Sequence, residues 1–378
     1  MLGPWLDLPG ASELMAQFSA VSGLDLVRLG TTAGADEIRD TAVTQPLIAA
    51  VSLLAASQLE LGDGTVVAGH SVGELAAAAI AGALTPDAAV SFAARRGAEM
   101  AAACALTPTG MSAVLGGDPD EVLDLIAQRG LTAANRNGGG QVVAAGSVPG
   151  LAALAASPPA GARVRPLPVA GAFHTHYMSP AEDELAEFAQ NLTARNPDQV
   201  LLSNADGAAL STGHGVLGRL VRQVTRAVRW DLCQESMRQL GITALIELPP
   251  AGALVGLAKR AMPGVETLAI KTPADLDAAR SLIAATGRTG QGEHVPDFSV
   301  AVTPAKGIFT RAAGVDEGTA VKAGMRLGTI ATNRDEHPVL APASGPRGEL
   351  ILAEWLKHDG DIVAAGLPVA RITSASEA

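Results

Sequence analysis

Apolar and polar positions between residue 11 and about residue 105 follow a rhythm that predicts strands and amphipathic helices in alternation. Short apolar runs alternate there with amphipathic stretches, which is typical of βαβ units in a sheet covered by helices. The clearest predicted helices are 45–60 and 86–104. The second is preceded by Thr85-Pro86-Asp87, with a capping residue, a proline at the first helical position and an acid in the first turn. The pattern predicts an α/β protein with a parallel sheet.

The pattern changes between residues 110 and 169. Its segments predict, in order, strand 110–115, helix 118–129, strand 131–135, strand 141–145, helix 149–156 and strand 163–169. This βαββαβ order is the ferredoxin-like plan, so we expect a small inserted subdomain at about 108–169. The α/β rhythm then resumes with a predicted capping box at Ser179-Pro180-Ala181-Glu182, strands 200–203 and 244–248, and helix 251–262. It fades after residue 283.

A second domain is predicted after the segment 286–297, which is polar, rich in glycine and without periodicity, as linkers are. Beyond it, residues 317–330 match residues 359–372 in an internal repeat of short apolar runs and glycine turns. Two similar halves of this kind predict a small β-sandwich with pseudo-twofold symmetry. The predicted domains are therefore 1–285 and 298–378.

Composition excludes several classes of function. The chain has 378 residues, 48% of them hydrophobic, with a formal net charge of −11 and no block of Lys or Arg, so a nucleic-acid surface is not expected. No run reaches the ~18 apolar residues of a membrane span, and the start does not resemble a signal peptide. We expect a cytoplasmic protein. Cys104 and Cys233 are predicted to be buried thiols, without a metal, redox or other cofactor site.

The first candidate for chemistry is Ser71 in Gly69-His70-Ser71-Val72-Gly73-Glu74, between an apolar run at 65–68 and an Ala-rich stretch at 75–84. A sharp turn from strand to helix at a serine is a nucleophile elbow, which exposes the hydroxyl to the amide dipoles of the helix. Because glycine supplies 42 of the residues, this motif alone is a weak signal. Other residues have to support it.

A nucleophilic serine needs a base, and His174 is the best candidate because it lies on a loop just before a predicted helix. His176 is its nearest rival. Arg96, on the helix after the elbow helix, is placed to bind a substrate carboxylate with a bidentate guanidinium. The neighbouring Arg95 fits a solvated helix face better, but spacing alone does not separate the two arginines.

An ordered set of motifs resembles the malonyl-CoA:acyl carrier protein transacylase family over about residues 4 to 285. The motifs are Gly-His-Ser-Val-Gly-Glu at 69–74, Arg96-Gly97 with Met100, Asn135-x-Asn137-x-x-x-Gln141, Gly171-Ala172-Phe173-His174 with Met178, Val228-Arg229-Trp230 and Glu247-Leu248-Pro249-Pro250. The resemblance implies an α/β-hydrolase-like core with an inserted ferredoxin-like subdomain. It also implies malonyl-CoA and acyl carrier protein as partners.

The resemblance further implies a role for each site residue. Ser71 attacks the malonyl thioester, His174 accepts its proton, and the carrier's phosphopantetheine thiol then takes the malonyl group. Arg96 holds the free carboxylate, and a main-chain carbonyl that maps to Arg229 orients the histidine. Phe173 and Val72 resemble the malonyl-selective versions of the family, with Phe173 filling the space of an α-methyl branch. Gln45 matches a motif that lines the site.

The chain departs from the family pattern at its start. Family members begin with a hydrophobic strand and a Gly-Gln-Gly-x-Gln loop that helps to bind the oxyanion, whereas this sequence opens on Met1-Leu2-Gly3-Pro4-Trp5. We therefore expect the first strand to be missing and the amide of Val72 to be the remaining oxyanion donor. A start codon assigned too far downstream and an impaired enzyme are the two explanations.

The second departure is the C-terminal module, whose residues 298–373 resemble a biotinyl/lipoyl domain. Ala341-Pro342-Ala343-Ser344-Gly345 and the repeat at Asp359-Gly360 support this resemblance. Such domains carry their cofactor on a lysine, but the corresponding position here is Arg334, which cannot form that amide. The resemblance therefore predicts no swinging arm, and the module is interpreted as a docking or structural appendage.

Two other functions compete with malonyl transfer. A serine hydrolase would need an acid after the elbow, in the order Ser, Asp, His, and would not need Arg96. A non-catalytic assembly protein would use an incomplete acyltransferase body and an armless carrier-like domain for binding only.

Overall fold

The structure is a computed structural model that describes residues 2–62, 64–286, 298–332, 335–342, 349–363 and 365–375. Arg334, the position predicted to replace a modifiable lysine, and most of the predicted linker lie outside the described residues. No helix in the described ranges is both long and apolar enough to cross a membrane.

The α-helices of the described residues are α1 (Ala11–Ser22), α2 (Leu26–Thr31), α3 (Ala35–Ile38), α4 (Thr41–Ala56), α5 (Gly73–Ile80), α6 (Pro86–Leu106), α7 (Pro119–Gln128), α8 (Val148–Ala156), α9 (Ser179–Ala189), α10 (Gly213–Arg222), α11 (Trp230–Gln239), α12 (Ala253–Ala261) and α13 (Leu276–Thr286). Their strands are β1 (Val66–Val67), β2 (Thr109–Gly116), β3 (Thr132–Gly138), β4 (Gln141–Ser147), β5 (Ala162–Pro166), β6 (Val200–Leu202), β7 (Ala209–Leu210), β8 (Val228–Arg229), β9 (Ala244–Glu247), β10 (Glu266–Ala269), β11 (Phe298–Val302), β12 (Gly307–Arg311), β13 (Ala320–Val321), β14 (Arg326–Ala331), β15 (Glu336–Leu340), β16 (Leu350–Trp355), β17 (Ile362–Val363) and β18 (Pro368–Ser374).

The first 105 residues contain more helix than the apolar rhythm predicts. Helices α1 to α4 follow one another directly, and β1 is the one strand that the described residues form before β2. The apolar runs expected as strands lie in helices instead, because they pack into one large core whose fully buried side chains include Trp5, Phe18 and Leu54. Helix α4 begins at Thr41 rather than Gln45, since the side chain of Asp40 accepts a hydrogen bond from the Ala42 amide and caps it.

Side-chain caps set the limits of several other helices. Thr85 accepts from the amide of Ala88 at the start of α6, and Asp118 caps α7 in the same way. The capping box predicted at Ser179 does not form. A turn of 3-10 helix precedes α9, so the Ser179 hydroxyl donates to the His176 carbonyl at 2.8 Å, and Glu182 accepts from the hydroxyl of Thr225.

The strands of the first 286 residues form three sheets. Strand β1 pairs in parallel with β6, which pairs antiparallel with β7, and β9 pairs in parallel with β10. The third sheet has the order β5-β2-β4-β3-β8, in which the first four strands are antiparallel to their neighbours and β8 lies parallel to β3. The Arg229 amide in β8 donates to the Asn204 carbonyl at 2.7 Å, which ties this sheet to the segment that follows β6.

Residues 298–375 have a hydrophobic core of their own. Two four-stranded sheets, β11-β18-β16-β13 and β15-β14-β12-β17, enclose buried side chains such as Phe309, Leu327 and Leu352. Their strand pairs are antiparallel.

The two cysteines differ from the prediction in one respect, because Cys233 is buried but Cys104 is partly exposed.

Candidate active site

Ser71 lies on a sharp turn between β1 and α5, with its backbone in the left-handed region at φ 54°. A non-glycine residue in this region is strained and is held there by its surroundings. The Ser71 amide donates to Asn204 Oδ1 at 2.8 Å, and Asn204 Nδ2 donates to the Gly69 carbonyl at 2.7 Å. A Cβ atom on Gly69 would overlap the backbone of Gly73, so this turn requires glycine at position 69.

His174 is the base that the structure places against the serine. Its Nε2 lies 2.8 Å from Ser71 Oγ, and its Nδ1 lies 2.8 Å from the Gln223 carbonyl oxygen. A carbonyl only accepts hydrogen bonds, so Nδ1 carries the proton and Nε2 is free to accept the serine proton. Burial, followed by the charge of Arg96, lowers the pKa of His174 to about 3. The imidazole is therefore neutral at physiological pH, as a base must be.

The orienting carbonyl belongs to Gln223 and not to Arg229, so that prediction was wrong. Arg229 is in β8, where its amide donates to the Asn204 carbonyl at 2.7 Å and its side chain pairs with Asp231 at 2.9 Å. Gln223 begins a short 3-10 helix six residues earlier. His176, the rival base, is exposed and stacks on Tyr177 with ring centroids 4.2 Å apart.

Arg96 is the other charged group at the serine. It is 2% exposed, and its Nη2 lies 3.3 Å from Ser71 Oγ and donates to Gln223 Oε1 at 2.9 Å. Its Nη1 donates to Gln45 Oε1. Burial lowers the pKa of Arg96 to about 10, partly offset by the charge of Glu74, so it remains a cation. Arg95 points elsewhere and forms ion pairs with Glu99 and Glu184 near the surface.

The direct partners of Arg96 are amide and hydroxyl oxygens. Among the described residues, no carboxylate forms an ion pair with this guanidinium. A buried cation that is satisfied by neutral groups alone is costly, whereas a carboxylate ligand beside Ser71 would give it a charged partner. This arrangement is suited to an acyl group that carries a free carboxylate.

Phe173 and Val72 flank the reactive pair. Phe173 is half-buried between the main core and a smaller cluster that contains Met111 and Val143. Val72 precedes α5, and its carbonyl accepts from the Leu75 amide at 3.1 Å. The first amides of a helix have no partner within the helix, so the Val72 amide is in the part of the fold where an oxyanion can be bound.

The sequence reasoning missed four residues that hold this site. Glu74, Asn204 and Gln223 connect the elbow to the histidine and the arginine, and His70 Nε2 pairs with Asn137 Oδ1 at 2.8 Å. The sequence could have indicated Asn204, because this polar residue closely follows a buried strand. It could not have indicated Gln223, because the carbonyl and the side-chain amide of Gln223 reach the site from a helix end.

A groove rich in arginine adjoins the site. Its lining includes Arg136, Arg222, Arg226 and Arg229, and it shares Arg222 and Arg226 with a cavity of about 130 Å³ that Gln223 lines. No group of three or more His, Cys, Asp or Glu side chains in the described ranges is arranged to hold a metal ion.

Comparison with known proteins agrees with this geometry. Residues 11–280 match the acyl transferase domain family, so the chain belongs to that family of enzymes. Within it, the chain is 55% identical to the malonyl CoA-acyl carrier protein transacylase of Mycolicibacterium smegmatis, over 73% of this chain and 98% of that protein.

Two solved structures are also similar. The crystal structure of MCAT from Mycobacterium tuberculosis has a TM-score of 0.72 and 54% identity, covering 74% of this chain and 94% of that one. A type II PKS acyl-carrier protein in complex with its malonyl-transacylase includes a chain with a TM-score of 0.70 and 27% identity, covering 75% and 94%.

Proposed function

We propose that this chain transfers the malonyl group from malonyl-CoA to the phosphopantetheine thiol of acyl carrier protein, in fatty acid synthesis. The enzyme is an acyltransferase, an S-malonyltransferase. The observation that carries the proposal is the position of Arg96, a buried cation whose Nη2 is 3.3 Å from Ser71 Oγ. A carboxylate on the acyl group is the substrate feature that this arginine can bind.

The reaction proceeds in two half-reactions at the same serine. Ser71 Oγ attacks the thioester carbon while His174 Nε2 takes the hydroxyl proton, and the CoA sulfur leaves with that proton as the malonyl-serine ester forms. The carrier thiol then attacks the ester after giving its proton to His174, and Ser71 recovers a proton as the malonyl thioester departs. The amide of Val72 is placed to stabilise both oxyanions.

The other site residues set the substrate. Gln45 holds one edge of the Arg96 guanidinium, which leaves Nη2 directed at the serine. We expect Phe173, the neighbour of His174 in the chain, to fill the space of an α-methyl branch and so to favour malonyl over branched acyl groups. The arginine-rich groove fits the phosphates of CoA and of a carrier's phosphopantetheine arm.

A hydrolase is disfavoured by the partner of the histidine. In the hydrolase alternative an acid orients the base, but His174 Nδ1 donates to the main-chain carbonyl of Gln223. The neutral carbonyl of Gln223 fixes the tautomer of the His174 imidazole without placing a carboxylate against it. Arg96 has no role in a general hydrolase.

The finer fold assignments are part of the proposal. The β5-β2-β4-β3 order and its antiparallel pairing support a ferredoxin-like subdomain inserted in an α/β-hydrolase-like core. The paired four-stranded sheets of residues 298–375 support a biotinyl/lipoyl-like domain. With arginine at position 334, we interpret this domain as a docking module for another protein rather than a carrier of a cofactor.

The test is to incubate the chain with radiolabelled malonyl-CoA and then to add acyl carrier protein. We expect label on Ser71 that is stable until the carrier arrives and then moves to it, and no label on an S71A variant. Rapid release of free malonate would instead support a hydrolase. No label on the wild-type chain would support an assembly protein.

A further inference from the structure

Glu74 is a buried carboxylate directly behind the nucleophile elbow. It is 2% exposed and lies in the first turn of α5. Its Oε1 accepts from the main-chain amide of Asn204 at 3.0 Å, and its Oε2 accepts from the side-chain Nε2 of Gln223. The Ser203 hydroxyl also hydrogen-bonds to this carboxylate, and all of these donors are neutral. A buried carboxylate held in this way is costly to maintain, which points to a role beyond packing.

Gln223 connects this carboxylate to both reactive side chains. Its Nε2 donates to Glu74 and to the Ser71 carbonyl at 3.1 Å, its Oε1 accepts from Arg96 at 2.9 Å, and its main-chain carbonyl accepts from His174 at 2.8 Å. A side-chain amide has one donating and one accepting end, whereas an ionised carboxylate only accepts. Ionised Glu74, together with the Ser71 carbonyl, therefore fixes which end of Gln223 faces Arg96.

We propose that Glu74 is a positioning residue, whose carboxylate orients Gln223 and Asn204 and thereby aligns His174 with Ser71 and Arg96 with the acyl carboxylate. The inference rests on the proposed malonyl transfer. Glu74 acts through Gln223 on one side and through Asn204, which holds the strained Ser71 turn, on the other. One side chain thus couples the nucleophile, the base and the carboxylate-binding group.

The ionisation of Glu74 supports this role. Burial raises the pKa of Glu74 to about 7, and its hydrogen bonds and the charge of Arg219 on α10 limit the rise. A protonated Glu74 can donate to Gln223 Oε1, which turns the amide of Gln223 and directs its NH2 group at Arg96. Two donors then face each other, and the loading of Ser71 is expected to slow as the pH falls below about 7.

Several other charged or titratable side chains surround Glu74, on α6, on α11 and along the adjoining cavity. Arg96 approaches from α6 and Cys233 from α11, and each interacts electrostatically with this carboxylate. Arg219, Arg222 and Arg226 line the adjoining cavity with it. Arg96 keeps its charge because its pKa is about 10, and burial raises the pKa of the Cys233 thiol well above its ordinary value. Glu74 is therefore the group in this set that titrates near neutrality.

The experiment compares E74Q with E247Q in the full chain. E74Q keeps the volume but puts a donor where only acceptors fit. Glu247 is also buried and accepts from the amides of Gly252, Leu254 and Val255, so E247Q removes a buried carboxylate away from the site. The measurements are the rate of Ser71 loading from malonyl-CoA and from acetyl-CoA, between pH 6 and 8.

We expect E74Q to load malonyl about 10- to 100-fold more slowly, to lose preference for malonyl over acetyl, and to lose the inflection near pH 7. E247Q should keep the preference and the inflection. E74D, which retains a carboxylate, should recover part of the rate and the pH dependence. Unchanged rates and pH dependence in a folded E74Q would overturn the inference.

Two outcomes separate this inference from the proposed function. A wild-type chain that never forms malonyl-Ser71 contradicts the proposed function itself. A wild-type chain that loads malonyl with a flat profile from pH 6 to 8 contradicts the role of Glu74 alone. This second measurement decides the matter even where E74Q fails to fold.

Discussion

At the scale of single residues, the reactive pair depends on two strained backbone positions. Ser71 and His174 have φ values of 54° and 61°, and they are the non-glycine residues with positive φ in the described ranges. Each such position costs on the order of 1–3 kcal/mol and persists only where surrounding contacts determine it. Those contacts come from Asn204 for the serine and from the Gln223 carbonyl for the histidine.

Replacing Arg96 tests how the acyl group is recognised. We expect R96A to lower kcat/KM for malonyl-CoA by roughly 10- to 100-fold, because a charge-assisted hydrogen bond to the carboxylate is lost, and to raise the relative use of acetyl-CoA. The neighbouring R95A is the matched control, since Arg95 forms only partly exposed ion pairs, and it should stay within about twofold of wild type. Steady-state rates with both thioesters measure the change. An unaltered preference in R96A would remove its assigned role.

The depressed pKa of His174 predicts how stability depends on pH. The folded chain keeps this imidazole neutral down to about pH 3, whereas the unfolded chain protonates it below about 6.5. The unfolded state therefore binds more protons in this window, and the free energy of unfolding falls as the pH is lowered from about 6.5 toward 3. At pH 5 the loss from this residue is about 2 kcal/mol.

Urea denaturation of wild type and H174N at pH 7 and pH 5 measures this loss. Asparagine tolerates the left-handed backbone and does not titrate. We expect H174N to lose less stability than wild type between the two pH values, by about 2 kcal/mol. Parallel losses would show that His174 is protonated in the folded state.

The role of a residue could be predicted from the sequence where a short motif contains that residue. Ser71, His174 and Arg96 are marked by short motifs, and the structure brings these three together. Arg229 was chosen for its place in a motif, but the orienting carbonyl comes from Gln223, six residues earlier. A carbonyl is present on every residue, so its position in space depends on tertiary structure that no local pattern encodes.

At the scale of elements, the cap predicted at Thr85 forms, whereas the capping box predicted at Ser179 does not. Thr85 and Asp118 cap α6 and α7, and the predicted limits of those helices lie within two residues of the observed ones. Helix α4 overlaps the predicted helix 45–60, whereas α1, α2 and α3 were not predicted. The sequence of a short apolar run that is buried on all sides does not distinguish a strand from a helix. Here these runs form helices that pack into the main core.

The turn between β1 and α5 makes a prediction at the same scale. A methyl group on Gly69 would overlap the Gly73 carbonyl, whereas one on Gly73 would meet nothing within 4 Å. We expect G69A to lower the free energy of unfolding by about 1–3 kcal/mol, since the close approach of strand and helix cannot relax without moving Ser71. G73A should be neutral or up to about 1 kcal/mol more stable, because alanine favours the helix. Thermal unfolding of the two variants compares them, and equal melting temperatures would contradict the close contact.

At the scale of the whole molecule, the two cores share no side chains among the residues that the structure describes. The residues that fill the core between β11 and β18 are distinct from those around the site. Polar contacts join the two parts in the described ranges. Arg136 donates to the Ala365 carbonyl at 2.7 Å, Arg229 donates to the Gly366 carbonyl, and Lys306 lies 3.5 Å from Asp124. The Lys306–Asp124 ion pair is partly exposed, so it contributes about 0–1 kcal/mol.

Deleting residues 287–378 tests what these contacts do. Because the transferase core does not depend on the second core, we expect the shortened chain to fold and to load malonyl onto Ser71 at the wild-type rate. Arg136 and Arg229 line the arginine-rich groove and also donate to the 365–366 turn, so the deletion frees Arg136 for an anionic partner while Arg229 keeps its ion pair with Asp231. The KM for acyl carrier protein should then fall at low ionic strength, with kcat unchanged, and the difference should shrink as salt is added. Carrier titrations of both chains at two salt concentrations measure this. A KM that rises on deletion would show instead that the C-terminal domain helps to recruit the carrier.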